Sequence, residues 1–120
     1  MEVKNYDTIL EFDGELIGRS ESPGTSPDGP HGRRWHTVEI YRCSDGKYVV
    51  AKIGKSTYPY EVERSTAQIS DGPEGAVQAL YGRDRKGVWK FTYTSEDAAN
   101  EAADNDPSFA KALLHQKITA

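Results

Sequence analysis

Apolar and polar positions alternate most clearly from Trp35 to Ser56, WHTVEIYRCSDGKYVVAKIGKS. Two runs rich in β-branched and aromatic residues flank Asp45-Gly46, a pair suited to a tight turn, so the stretch predicts a β-hairpin. With Asp45 and Gly46 as the two central residues of a type I′ turn, Ser44 pairs with Lys47. Val38, Ile40, Val49, Ala51 and Ile53 then share one face with Arg42. The opposite face pairs Thr37 with Gly54, Glu39 with Lys52, Tyr41 with Val50 and Cys43 with Tyr48. The first face reads as core and the second as half-solvated, with Glu39 and Lys52 as a cross-strand ion pair.

The remaining pattern supplies the other elements. Residues 8–20 read as extended, either as a second tight hairpin at Asp13-Gly14, the preferred reading, or as one strand kinked at Gly14. Residues 21–32, ESPGTSPDGPHG, hold prolines, glycines and serines with nothing apolar, and predict an exposed loop. Residues 61–69 suit an edge strand. Asp71 and Glu74 resemble a capping box ahead of Ala76, Val77, Leu80 and Tyr81, a short helix stopped by Gly82. Residues 83–87 form a charged turn. Residues 88–94, VWKFTYT, alternate as a strand with Trp89, Phe91 and Tyr93 on one face. Ser95 then caps a helix with an alanine stripe at Ala98, Ala99, Ala102 and Ala103. Asp106-Pro107 reads as an N-cap and first helical proline, so that a further helix starts or the first one kinks there, with Phe109, Ala110, Leu113 and Leu114 continuing the apolar face. The expected fold is α+β: an antiparallel sheet of four to six strands with a short helix and C-terminal helices packed on it, in a single domain over residues 1–120.

Composition narrows the class. With 36% hydrophobic residues the core is small, and the longest apolar runs fall well short of a membrane span. The first residues, MEVKNYDTILEFDGE, lack the basic and apolar regions of a secretory signal, and the single cysteine, Cys43, has no second thiol in the chain to pair with. Together these point to the cytoplasm. The net charge of −4 is unevenly spread: residues 1–30 carry 2 basic and 7 acidic side chains, whereas residues 31–60 carry 6 and 2. The hairpin is the basic part of an acidic chain.

Candidate chemistry is sparse. Gly54-Lys55-Ser56-Thr57 is similar to the end of a phosphate-binding P-loop, but Val49 stands where that motif needs glycine and Tyr58-Pro59 follows where it needs a helix, so it reads as a strand exit. Cys43 and His36 lie seven apart on one strand, an odd spacing that points them to opposite faces and forbids a dyad. His31, His36 and His115 show no metal-ligand spacing, so neither metal nor cofactor is expected. Asp71, Glu74, Glu96, Asp97 and Asp106 all suit helix N-termini, where the macrodipole favours negative charge. An enzyme is therefore not the expected reading, although a site assembled by tertiary contacts would leave no local trace.

Two surfaces remain. Arg33, Arg34, Arg83, Arg85 and Lys86 beside Trp35 and Trp89 suit single-stranded nucleic acid, cations holding phosphate while rings stack on bases. The same rings also suit the core of a sheet, and the acidic balance opposes a dedicated nucleic-acid binder. Seven tyrosines and two tryptophans are many for a polar chain of 120 residues, and such residues are favoured at interface hot spots. Tyr41, Tyr48, Tyr58 and Tyr60, on or near the less apolar hairpin face, form the expected protein-binding or self-association surface. The bland alternative is that these tyrosines cap a small core.

The run Arg34-Trp35, Tyr41-Arg42, Gly46-Lys47-Tyr48-Val49-Val50, Gly54 and Ser56 resembles a pattern in small uncharacterised bacterial proteins. It covers about a fifth of the chain and implies no activity. The resemblance points toward bacteria or their phages and plasmids, where an accessory or inhibitor protein acting by protein–protein contacts is the function expected.

Overall fold

A four-stranded antiparallel sheet forms the centre of the protein. The computed structural model describes residues 1–22, 34–57, 63–80, 82–83, 89–90 and 93–119. The central strands are β3 (Gly14–Glu21), β4 (Arg34–Cys43), β5 (Tyr48–Ser56) and β6 (Arg64–Ser70), in that spatial order. Ahead of them β1 (Glu2–Asn5) and β2 (Thr8–Glu11) pair as a separate hairpin. Helix α1 (Pro73–Leu80) follows the sheet, then the two-residue strands β7 (Gly82–Arg83) and β8 (Trp89–Lys90), then α2 (Tyr93–Asn105) and α3 (Pro107–Thr119). The fold is α+β, as the sequence pattern predicts.

The central hairpin is where expected, but its register is not. Arg42 lies opposite Tyr48 and Ile40 opposite Val50, one residue away from the register of a two-residue loop. The connection is a three-residue loop, Ser44-Asp45-Gly46. Cys43 N–H donates to Lys47 O at 2.8 Å, Gly46 N–H to Cys43 O at 3.1 Å, and Lys47 N–H to the Asp45 carboxylate at 3.1 Å. Gly46 sits at φ +89°, the left-handed residue of this loop class. A one-residue slip moves every side chain of β5 to the other face. Glu39 therefore lies across from Ala51, not Lys52, and its carboxylate reaches Arg19 at 3.7 Å. An alanine built at Gly46 meets nothing within 4 Å, so Gly46→Ala isolates backbone strain. Its expected cost is about 1 kcal/mol, read as a lower denaturation midpoint with an unchanged slope.

The slip creates two cores. On one face Val38, Ile40, Tyr48 and Val50 join Ile17 and pack beneath the helices through Val77, Leu80, Ala98, Ala102, Phe109 and Leu113. On the other face Tyr41, Val49 and Ala51 pack under the β1–β2 hairpin through Val3, Leu10 and Phe12. The second face is thus covered by the N-terminal segment, not half-solvated. Residues 8–20 do not form a hairpin at Asp13-Gly14: β2 and β3 belong to different sheets, and the chain crosses between them at Phe12-Asp13.

Strand β3 carries a bulge between Leu16 and Gly18. The extra residue, Ile17, turns into the helix-side core, and its carbonyl accepts Asn105 Nδ2–H at 2.8 Å. Gly18 is pressed under α2: a Cβ there would lie 2.2 Å from Ala98 O and 2.9 Å from Ala102 Cβ. The alanine stripe therefore brings helix and sheet together, as its spacing suggests.

Several boundaries differ from the pattern. Helix α1 starts at Pro73, with the Gly72 carbonyl accepting Ala76 N–H at 3.3 Å, so Gly72 and not Asp71 is the cap. Helix α2 starts at Tyr93, which places Ser95 inside it. Thr94, Ser95, Ala98, Ala99 and Ala102 are all buried at helical spacing, and this stripe takes Tyr93 and Thr94 out of the predicted 88–94 strand, of which Trp89 and Lys90 form β8 while Val88, Phe91 and Thr92 lie outside the described residues. In α3, Ala112 replaces Leu114 on the buried face. Leu114, five residues after Phe109 and so about 140° around the helix, is 61% exposed.

Candidate functional site

Asp106 joins the C-terminal helices to the central hairpin. It is 2% exposed and caps α3 as predicted, its Oδ1 accepting the N–H groups of Ser108 at 2.9 Å and Phe109 at 3.3 Å. Its Oδ2 accepts the Tyr48 hydroxyl at 2.6 Å and faces Arg42 Nη1 at 3.6 Å. Arg42 also binds Glu15 on β3, an interaction that raises the guanidinium pKa further. The arrangement satisfies the charge it buries at Asp106 and ties α3, β5, β4 and β3 together.

The expected tyrosine surface does not form at Tyr41 and Tyr48. The corrected register puts them on opposite faces, and each is at most 5% exposed. Tyr41 packs edge-on against Phe12 at 5.1 Å, and burial, with the Glu39 carboxylate beside it, pushes its phenol up to about 12. Tyr48 lies 6.2 Å from Phe109, and burial, reinforced by Asp106, raises its phenol pKa well above the ordinary range. These two side chains hold the cores. Tyr58 and Tyr60 lie outside the described residues, as do Arg33, Arg85 and Lys86 of the basic set. Arg34 and Arg83 are backbone positions of β4 and β7, opposite Ser56 and Trp89.

Cys43 and His36 fall on opposite faces of β4. The Cys43 thiol packs with the hairpin-side core, and burial pushes its pKa up, so its thiolate is disfavoured. Among the described residues, no three His, Cys, Asp or Glu side chains cluster to hold a metal ion.

Of the exposed large apolar side chains among the described residues, Met1, Tyr6 and Ile9 lie at the N-terminal hairpin, and Leu16, Ile69 and Leu114 lie elsewhere. Tyr6 is 75% exposed, Ile9 55% and Met1 51%. Tyr6 occupies the two-residue β1–β2 loop at φ 56°, the one non-glycine in left-handed conformation among the described residues. Such a backbone costs about 1–2 kcal/mol. It is held by Tyr6 N–H donating to Ser65 O at 2.7 Å and by Asn5 Oδ1 accepting Ala67 N–H at 3.3 Å. Met1 and Phe12 close the other end through reciprocal bonds of 3.0 Å.

Among the described residues, shallow grooves border this hairpin, and three of them reach the central sheet. One, of about 230 Å³, runs between Ile9 and the sheet over Ala51 and Ile53, with Glu2, Glu39 and Glu63 on its rim. A second, of about 280 Å³, lies between Phe12 and Ile69 and reaches Cys43, Asp13 and Asp45. The third, of about 390 Å³, lies behind Tyr6 and contains Lys52. Sequence reasoning passed over this hairpin because its strands are four residues long and its turn has no glycine. Asn5-Tyr6-Asp7 between Val3 and Ile9-Leu10 was the available signal.

No helix among the described residues is long and apolar enough to cross a membrane. Compared with known proteins, the chain shows significant similarity to no family model, no curated protein and no solved structure.

Proposed function

We propose that the chain is a small non-enzymatic binding protein that acts by protein–protein interaction, with the N-terminal hairpin as its contact surface. The observation that carries this reading is Tyr6, an aromatic side chain three-quarters exposed on a strained backbone that neighbouring strands hold in place. Strain maintained by surrounding structure is characteristic of functional positions, and exposed aromatics flanked by aliphatics are favoured as interface anchors. Ile9 and the grooves beside it supply the flanking apolar contact. The acidic balance of residues 1–30, 2 basic against 7 acidic side chains, fits a basic partner. In this reading the chain serves as an accessory or inhibitor protein of a bacterial mobile element, in line with the resemblance of its hairpin sequence.

The test compares wild type with Tyr6→Asn plus Ile9→Ser. Asparagine tolerates the left-handed backbone, so the turn is kept. Tagged protein is used for capture from host lysate, with and without nuclease, and binding to the captured partner is then measured directly. A protein partner retained after nuclease and weakened in the variant by about 2 kcal/mol, roughly thirtyfold, supports the reading. Equal affinity for both proteins removes the hairpin as the surface. Capture lost on nuclease treatment assigns binding to nucleic acid and to Arg33, Arg34, Arg83, Arg85 and Lys86.

A further inference from the structure

Lys52 is a half-buried cation whose counter-charge is missing among the described residues. It leaves β5 toward the helix side, directly opposite Thr66 of β6. Among the described residues its ammonium makes one long hydrogen bond, 3.4 Å to Leu80 O at the C-terminal end of α1. A lysine there complements the helix dipole, but it uses one of three donors. The described ion pairs belong to Arg19 and Arg42. Burial lowers the Lys52 pKa.

The space around the ammonium is a built groove. Val50 and Lys52 form its floor, Thr66 and Gln68 line it from β6, Ala79 walls it from α1, and the hairpin tip closes it with Asn5 and Tyr6. Its volume of about 390 Å³ falls in the range of small-molecule sites, which combine apolar walls with a few convergent polar groups. Here the polar set comprises an ammonium with spare donors, a hydroxyl and a primary amide, all able to donate to oxygen. Ala79 and Tyr6 offer contact to an apolar body.

We infer that the Lys52 groove binds a small organic anion, its carboxylate or phosphate oxygens held by Lys52, Thr66 and Gln68 and its apolar part lying against Ala79 and Tyr6. This site shares Tyr6 with the proposed protein-capture surface but not Ile9, which lies outside the groove, so Ile9→Ser alone leaves anion binding intact while weakening the partner.

The experiment is a two-dimensional amide NMR titration of the full chain with acetate and, separately, inorganic phosphate at constant ionic strength. Saturable shifts centred on Lys52, Thr66 and Gln68 are expected, with affinity about tenfold weaker in Lys52→Met and unchanged in Lys47→Met. Saturation by one anion and not the other identifies the head group. Shifts that grow linearly and appear at every exposed lysine mean an adventitious ion only and overturn the proposal, as do identical titrations of wild type and Lys52→Met. If Lys52→Met does not fold, the location and saturation of the wild-type shifts decide the question.

Discussion

Gly18→Val is expected to lower stability by about 3 kcal/mol or more, because its first added carbon would collide with backbone. The clash is with Ala98 O at 2.2 Å and Ala102 N at 2.9 Å, atoms of a helix that cannot rotate out of the way as a side chain can. Relief requires α2 to lift from the sheet, and α2 carries Ala98, Ala99 and Ala102 of the larger core together with Asn105, which satisfies the Ile17 carbonyl. A domain of this size has about 5–15 kcal/mol of stability in total, so the loss is large. Chemical denaturation with circular dichroism measures it. Gly54→Ala is the control: the added carbon meets Arg64 O at an ordinary 3.7 Å, and its stability is expected to stay within about 1 kcal/mol of wild type. Equal effects at the two glycines would show that α2 does not press on β3 as described.

Asp106→Ala is expected to cost about 3 kcal/mol by combining two losses. The first is the cap on Ser108 and Phe109, typically about 1 kcal/mol. The second is the Tyr48 hydroxyl, left in a site only 4% exposed without its acceptor, about 1–3 kcal/mol. The two parts separate in a double-mutant cycle. In a Tyr48→Phe background no hydroxyl is stranded, so Asp106→Ala should cost less by roughly 1–2 kcal/mol. Thermal and urea unfolding of the four proteins supplies the cycle. Strict additivity would mean that the bond at 2.6 Å does not couple the helices to the hairpin.

The register error shows where sequence reading reaches its limit. Asp45-Gly46 suits two loop lengths that differ by one residue, and the strands must choose between them. Alternation makes that choice when one face of a strand is wet. Here Tyr48, Val49, Val50 and Ala51 are all buried, because helices cover one side and the N-terminal hairpin the other. A strand covered on both faces carries no period to read. The N-cap at Asp106 was legible because capping is local chemistry. Its partner Tyr48, 58 residues away, was not, because only tertiary packing brings them together. The burial of Tyr41 is hidden from the sequence for the same reason: Phe12, which packs on it, lies 29 residues upstream and meets it only through tertiary packing. Tyr6 escaped notice because a bulky residue in a left-handed turn runs against turn preference, so the feature that marks it in the structure concealed it in the sequence.

The contact of the Asn5-Tyr6 turn with β6 has a consequence for the protein in a crowded cell. Strand β6 ends the sheet, and an unpaired strand edge is a template on which further chains can add and grow into fibres. Tyr6 N–H and Asn5 Oδ1 occupy outward backbone groups of Ser65 and Ala67, the positions at which an incoming strand would have to pair. The same turn that holds Tyr6 out to solvent therefore acts as a stopper against polymerisation. Changes that loosen it endanger solubility before they endanger the fold.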